Sequence, residues 1–206
     1  MTNEEIGLLF DTVEAEHTFL YMMIAFTTGA RPGAILDLTR ERVDIDGGTI
    51  NLLPVGQVQN KKRRPVVPIC NTLRPWLILA GQTYVIEYQG QRVDNNRQAI
   101  TRLAARAGLK GVSRYTIRHT VATELRERGL SDWDIATLLG HQDPNRRTTE
   151  GYAKSRDRTR SRIAAAIDAW FSEIQQHTKR PLILDPATAA QEIQALRGNC
   201  VGKLAA

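Results

Sequence analysis

Four short segments carry residue types that can act together on a phosphodiester: Thr28-Gly29-Ala30-Arg31-Pro32, Arg118-His119-Thr120, Leu139-Gly140-His141 and Gly151-Tyr152. Between them they supply two guanidinium groups, an imidazole and a phenol. A phosphodiester repels an incoming oxygen, and its pentacoordinate transition state concentrates further charge on the nonbridging oxygens. Guanidinium suits that charge better than ammonium, because its planar fork donates paired hydrogen bonds and keeps its proton. Removing one preorganised donor of this kind costs on the order of 3 kcal/mol, or roughly a hundredfold in rate. A phenol has a reference pKa of about 10, so it attacks only where its proton is taken and nearby cations stabilise the phenolate. Tyr152 has Arg146, Arg147, Lys154 and Arg156 around it in the chain, which is not the setting of a core ring.

Taken singly, each segment is weak. An arginine before a proline is commonly a solvated residue at a helix start, and most tyrosines of helical proteins belong partly to a core. Their order, with the basic cluster Lys61-Lys62-Arg63-Arg64 between the first and second segments, is more specific. From Glu4 to about Ile174 the chain resembles the tyrosine recombinase, or phage integrase, family. That resemblance implies a mainly α domain with a small antiparallel β-sheet (α+β), the tyrosine recombinase catalytic-domain fold. It implies that Arg31 and Arg118 grip the scissile phosphate, that His141 contacts it, and that Tyr152 is the nucleophile. A lysine of the basic hairpin would protonate the departing 5′-oxygen; Lys61 is the first choice and Lys62 the second, because the register of that loop is not fixed by sequence. The covalent 3′-phosphotyrosine conserves the bond energy, so a 5′-hydroxyl can reverse the step without ATP, metal or other cofactor.

Two positions depart from the family pattern. Tyr115 stands where a histidine usually precedes the second arginine by three residues, and Ala34 where an acidic residue usually follows the first by three. Tyrosine still donates a hydrogen bond to phosphate, so Tyr115 stays in the candidate catalytic set. Asp37, one turn beyond Ala34, is a candidate substitute for the missing carboxylate. These departures keep open a second reading, a DNA-binding remnant with weak catalysis. A type IB topoisomerase shares the chemistry, but the short chain and the integrase-like spacing disfavour it.

Positioning these groups requires a scaffold, and its elements are legible. Thr2-Asn3-Glu4-Glu5 is a capping-box pattern ahead of Ile6, Leu9, Phe10 and Val13 at helical spacing. His17 to Thr27 is apolar almost all round, which predicts a buried helix stopped at Gly29, and Pro32 suits the first turn of a short helix running to Leu38. Val43 to Ile45 and Thr49 to Leu53, joined by Asp46-Gly47-Gly48, predict a hairpin, with Val66 to Ile69 as a third strand. Helices are predicted over Thr72 to Ala80, Asn96 to Ala107, Thr116 to Arg128 and Ser131 to Leu139, each followed by a glycine. Beyond Tyr152, Ile163, Ala166, Ile167, Trp170, Phe171 and Ile174 mark one long amphipathic helix, broken by Pro181 before a last helix from Pro186 to Leu196.

The expected division is a catalytic domain over 1–180 and a C-terminal tail over 181–206. Leu182, Ile183, Leu184, Ile193 and Leu196 are too apolar for a free tail. Such a segment docks either on a neighbouring protomer, as C-terminal segments of the family do, or in cis on its own domain. Full recombinases of the family usually carry an N-terminal helical domain that closes a clamp around DNA, and this chain begins where the catalytic domain would. Among other residues, Tyr21, Tyr84 and Tyr88 are expected in the core, Trp133 and Trp170 in packing, His17 and His177 at the surface, and His119 as a structural hydrogen-bonding histidine.

Bulk properties bound the partners. The 206 residues, 42% hydrophobic and 24% charged, suit one globular domain with an appendage. The net charge of +6 is polarised: Arg146, Arg147, Lys154, Arg156, Arg158, Arg160 and Arg162 face only Glu150 and Asp157 in their segment. Together with the basic hairpin this points to a nucleic-acid surface. Lys62, Arg63, Arg64, Arg146, Arg147 and Lys154 are the expected phosphate contacts on double-stranded DNA, and the resemblance adds other protomers, four in the active complex. Cys70 and Cys200 suggest neither a disulfide nor a metal site. No signal peptide or 18-residue apolar run is present, so a cytoplasmic, nucleoid-associated protein without membrane partners is expected.

Overall fold

The structure is a computed structural model and describes residues 1–60, 63–141 and 152–202, with side chains described except at 152–156 and 198–202. It is mainly helical. Helix α1 (Asn3–Thr12) starts on the expected capping box: Glu5 N–H donates to Thr2 Oγ1 at 3.3 Å, and Thr2 N–H to Glu5 Oε2 at 3.0 Å. Helix α2 (Glu16–Thr28) runs through the centre and is buried from Thr18 onward, as its unbroken apolar sequence requires. It stops at Gly29, whose φ of +59° is left-handed. Helix α3 (Pro32–Leu36) follows with Pro32 at its first position, two residues shorter than predicted.

A three-stranded antiparallel sheet comes next, β1 (Val43–Asp44), β2 (Thr49–Asn51) and β3 (Val66–Pro68), in the order β1-β2-β3. Val43 pairs with Ile50 and Ile50 with Val67. Gly47 N–H donates to Asp44 Oδ1 at 2.8 Å, which makes the turn the sequence signalled. After helix α4 (Arg74–Ile78) a small hairpin, β4 (Glu87–Tyr88) and β5 (Gln91–Arg92), was not predicted. Its turn places Gln89 and Gly90 at positive φ, but Gln-Gly is a poor signal for such a turn, and two-residue strands leave no alternation to read.

Helices α5 (Arg97–Arg106), α6 (Arg114–Glu127), α7 (Asp132–Leu139) and α8 (Tyr152–Ile174) complete the domain. Ser113 and Ser131 cap α6 and α7 through their hydroxyls. On α8, Ile163, Ile167, Trp170, Phe171 and Ile174 are buried, and this face packs on α1 and β3. Asp168 on the same helix accepts from Asn71 N–H, Thr72 N–H and Thr72 Oγ1 at 2.8–3.0 Å, fixing α8 to the turn before α4.

Helix α8 ends before Pro181, at Ile174, and a strap leads to α9 (Pro186–Gly202). Leu182 is fully buried and its carbonyl accepts from the Trp76 indole at 2.9 Å. Ala189, Ile193 and Leu196 are buried as α9 packs in cis on α2 and α4. Four expectations about single side chains are corrected. Tyr88 is exposed, with its ring 5.1 Å from the His17 ring, and His17 is thereby half-buried. Trp133 is partly solvent-exposed on α7, and His119 faces solvent on α6. Periodicity alone could not tell the wet from the dry face of α6 and α7, and the two-residue strand that holds Tyr88 has no period to read.

Candidate active site

The ends of three helices meet at one pocket, and glycine lets them approach. Gly29 ends α2 and Gly140, at φ +66°, ends α7. A β-carbon on Gly29 would stand 2.7 Å from a Leu139 methyl, and one on Gly140 would stand 2.6 Å from the Arg63 carbonyl oxygen. Conformation and contact both therefore demand glycine in the T-G and L-G-H segments.

Arg118, nearly buried in the middle of α6, joins these ends. Its Nη1 donates to the Gly29 carbonyl at 2.6 Å and its Nη2 to the Leu139 carbonyl at 2.7 Å. Both oxygens belong to helix C-termini, which lack intrahelical partners and carry partial negative charge. Burial, and then the charge of Arg31, lower the pKa of Arg118 to about 10, so it keeps its proton at neutral pH. Arg118 Nη2 also lies 3.2 Å from His141 Nε2. His141 is held below its ordinary pKa by shielding of the ring first, then by Arg118 and Arg31.

Arg31 sits at the N-cap of α3, half-exposed, and its Nη1 donates to the Arg63 carbonyl at 2.6 Å. Arg31, Arg63, Arg64, Tyr115, Arg118 and Leu139 line a pocket of about 250 Å³. No acidic side chain belongs to its lining among the described residues, so it favours an anion. Tyr115 is 58% exposed, one turn before Arg118 on the same face of α6.

Asp37 does not support Arg31. Its carboxylate pairs with Arg42 at 3.1 Å and with Arg64. Gln59 grips Arg64 from the other side, accepting from its N–H at 2.9 Å and donating to its carbonyl at 2.7 Å. The Arg64 side chain is thus half-buried in a structural clasp at the base of the β2–β3 loop, while the Arg63 side chain is exposed. Lys61 and Lys62 lie outside the described residues, but Asn60 and Arg63 on either side of them both border the pocket.

Tyr152 is the first residue of α8, and Lys154 lies in its first turn; their side chains are not among those described. Arg146 and Arg147 lie outside the described residues. The structure therefore brings Arg31, Tyr115, Arg118, His141 and Arg63 to one place. Sequence reasoning missed the Asp37–Arg64 clasp, whose only local signal was an acid one turn past Ala34. Among the described residues no cluster of three His, Cys, Asp or Glu side chains is arranged to hold a metal ion, and no helix is long and apolar enough to cross a membrane.

Comparison with known proteins shows the family and the fold. The chain is 27% identical over 157 residues to tyrosine recombinase XerC of Staphylococcus carnosus, covering 67% of this chain and 51% of that protein. It is 28% identical over 141 residues to XerC of Corynebacterium glutamicum, covering 63% and 44%. It thus spans about half the length of the curated relatives it matches. Among solved structures, the integrase from mycobacterium phage Brujita superposes with a TM-score of 0.65 at 19% identity, over 84% of this chain and 62% of that one. The crystal structure of XerA recombinase gives 0.59 at 18% identity, over 88% and 64%. Both share the fold. Residues 1–159, most of the chain, match the phage integrase family, and the chain belongs to it.

Proposed function

We propose that this domain cuts and rejoins double-stranded DNA as a site-specific recombinase, through a covalent bond between Tyr152 and a 3′-phosphate. The observation that carries this reading is the convergence of Arg31 and Arg118 on one cationic pocket that has no lining carboxylate among the described residues, with His141 3.2 Å from Arg118. In this scheme both guanidiniums donate to the nonbridging oxygens, where they oppose the charge of the pentacoordinate state. Tyr115 adds a hydrogen bond from its exposed position. The Tyr152 oxygen attacks phosphorus, the bond to the 5′-oxygen breaks, and Lys61 or Lys62 gives that oxygen its proton. With its Nε2 lone pair turned to Arg118, neutral His141 carries its proton on Nδ1 and donates it to a phosphate oxygen, while the phenol proton passes to solvent as the surrounding cations stabilise the phenolate. The reverse attack by a 5′-hydroxyl restores Tyr152 and the diester, without ATP or metal.

DNA is held by phosphate contacts from Lys62, Arg63, Arg146, Arg147 and Lys154, with Arg64 contributing mainly by fixing the loop base. In the cell this places the protein in the cytoplasm at the nucleoid, and the active assembly is a tetramer of protomers on DNA. In that assembly the tail over 181–206 exchanges α9 with a neighbour, hinging after the anchored Leu182. A nicked substrate whose short cut strand diffuses away tests the reading. Wild type should accumulate a protein–DNA adduct stable to denaturation. Binding without adduct would favour the remnant reading, and relaxation of supercoils without sequence preference would favour a topoisomerase.

A further inference from the structure

We propose that Asp134 is a positioning residue that sets the tyrosine helix against the phosphate pocket, an inference that rests on the function proposed above. Asp134 lies in the first turn of α7, the helix that ends at the Gly140-His141 turn. Its side chain is 1% exposed. One carboxylate oxygen accepts from Thr159 Oγ1 at 3.1 Å; the other accepts from Ser131 Oγ at 2.8 Å and from the Arg162 guanidinium. Thr159 and Arg162 belong to α8. Tyr152 is seven residues before Thr159, about 10 Å along the helix. His141 is likewise seven residues beyond Asp134 in sequence. The carboxylate therefore joins the two helices that present the imidazole and the phenol.

Stability alone does not call for such a group. A buried ion pair gains little over a well-packed apolar pair, whereas one left without a partner is strongly unfavourable. That asymmetry is what specifies register. The apolar contacts of Ile163 and Ile167 would tolerate a small rotation or slide of α8, since one aliphatic surface replaces another. Asp134 would not, because displacing Thr159 or Arg162 leaves a buried charge short of donors. Ser131, which both caps α7 and donates to the carboxylate, fixes the other end of the link. Arg162 is 65% exposed, so it can close the clasp from the solvent side without itself being desolvated.

The test compares Asp134→Asn and Thr159→Val with wild type on a nicked substrate at saturating DNA. The readouts are single-turnover adduct rate, DNA affinity and melting temperature. Asp134→Asn should slow adduct formation at least tenfold and Thr159→Val about threefold, with affinity for DNA within twofold of wild type in both. A role confined to stability would lower rate and affinity together and would overturn the proposal, as would rates within twofold of wild type in both variants. If Asp134→Asn does not fold, Thr159→Val decides by the same criterion. If wild type itself forms no adduct, the proposed function fails and this inference falls with it; adduct from wild type and undiminished adduct from the variants removes this inference alone.

Discussion

Arg118 Nη2 lies 3.2 Å from His141 Nε2. A guanidinium can only donate, so the imidazole must present a lone pair there. A proton on Nε2 would point at a cation, which is why the Arg118 and Arg31 charges, after shielding of the ring, hold His141 below its ordinary pKa. One arginine thus fastens the helix ends and fixes the protonation state of its neighbour.

This gives a pH dependence with a definite sign. His141 binds a proton less readily folded than unfolded, so its neutral form contributes stability that is present above the unfolded pKa of about 6.5 and is lost as pH falls through the lower folded value. His17 shifts in the same direction through burial, so the activity profile, not the melting curve, isolates His141. Adduct formation should stay level from pH 8 down to about 6.5, and its acid limb should fall below that. His141→Gln should remove the acid limb together with most of the rate.

Arg118→Lys tests the fastening. A single ammonium cannot span the Gly29 and Leu139 carbonyls and also reach a phosphate. Leaving one buried carbonyl unpaired should cost about 1–3 kcal/mol in a denaturant titration. Adduct formation should fall at least about a hundredfold, beyond what the stability loss explains.

Asp37→Asn tests the clasp at the loop base. It removes the charge that pairs with Arg64 and leaves Arg42, almost fully buried, with neutral acceptors only. Stability should drop by about 2 kcal/mol. If the β2–β3 loop delivers the general acid, the cleavage step should slow more than DNA affinity weakens. A substrate with a 5′-sulfur leaving group, which needs no proton, should recover most of the loss.

Much of this was legible from particular residues. Thr2 with Glu5, the glycines at 29 and 140, and the apolar face of α8 encode their elements locally, so pattern sufficed. The site residues on rigid helix ends were legible for the same reason. Asp134 was not, because a carboxylate in the first turn of a helix reads as an ordinary favourable charge; only the approach of α8 buries it. Asp37 was read toward Arg31 because it stands one turn beyond Ala34, whereas its partners come from residues 42 and 64. The β4–β5 hairpin is too short to carry a period.

The tail offers a stability prediction. Truncation after Pro181 removes the acceptor of the Trp76 indole and the buried Leu182, Ile193 and Leu196. At about 1.5–3 kcal/mol per large apolar side chain, that loss is several kcal/mol, a large part of a domain's stability. Truncation after Leu184 keeps the strap and should cost clearly less. Equal melting temperatures for the two truncated proteins would show that the strap is not an anchor.

The central claim is tested most directly by locating the covalent bond. After reaction with a nicked substrate, protease digestion and mass spectrometry should recover one nucleopeptide, with the 3′-phosphate on Tyr152. Tyr152→Phe should bind the same DNA with unchanged affinity and yield none. A phosphate on any other residue, or an adduct that survives Tyr152→Phe, would contradict the account.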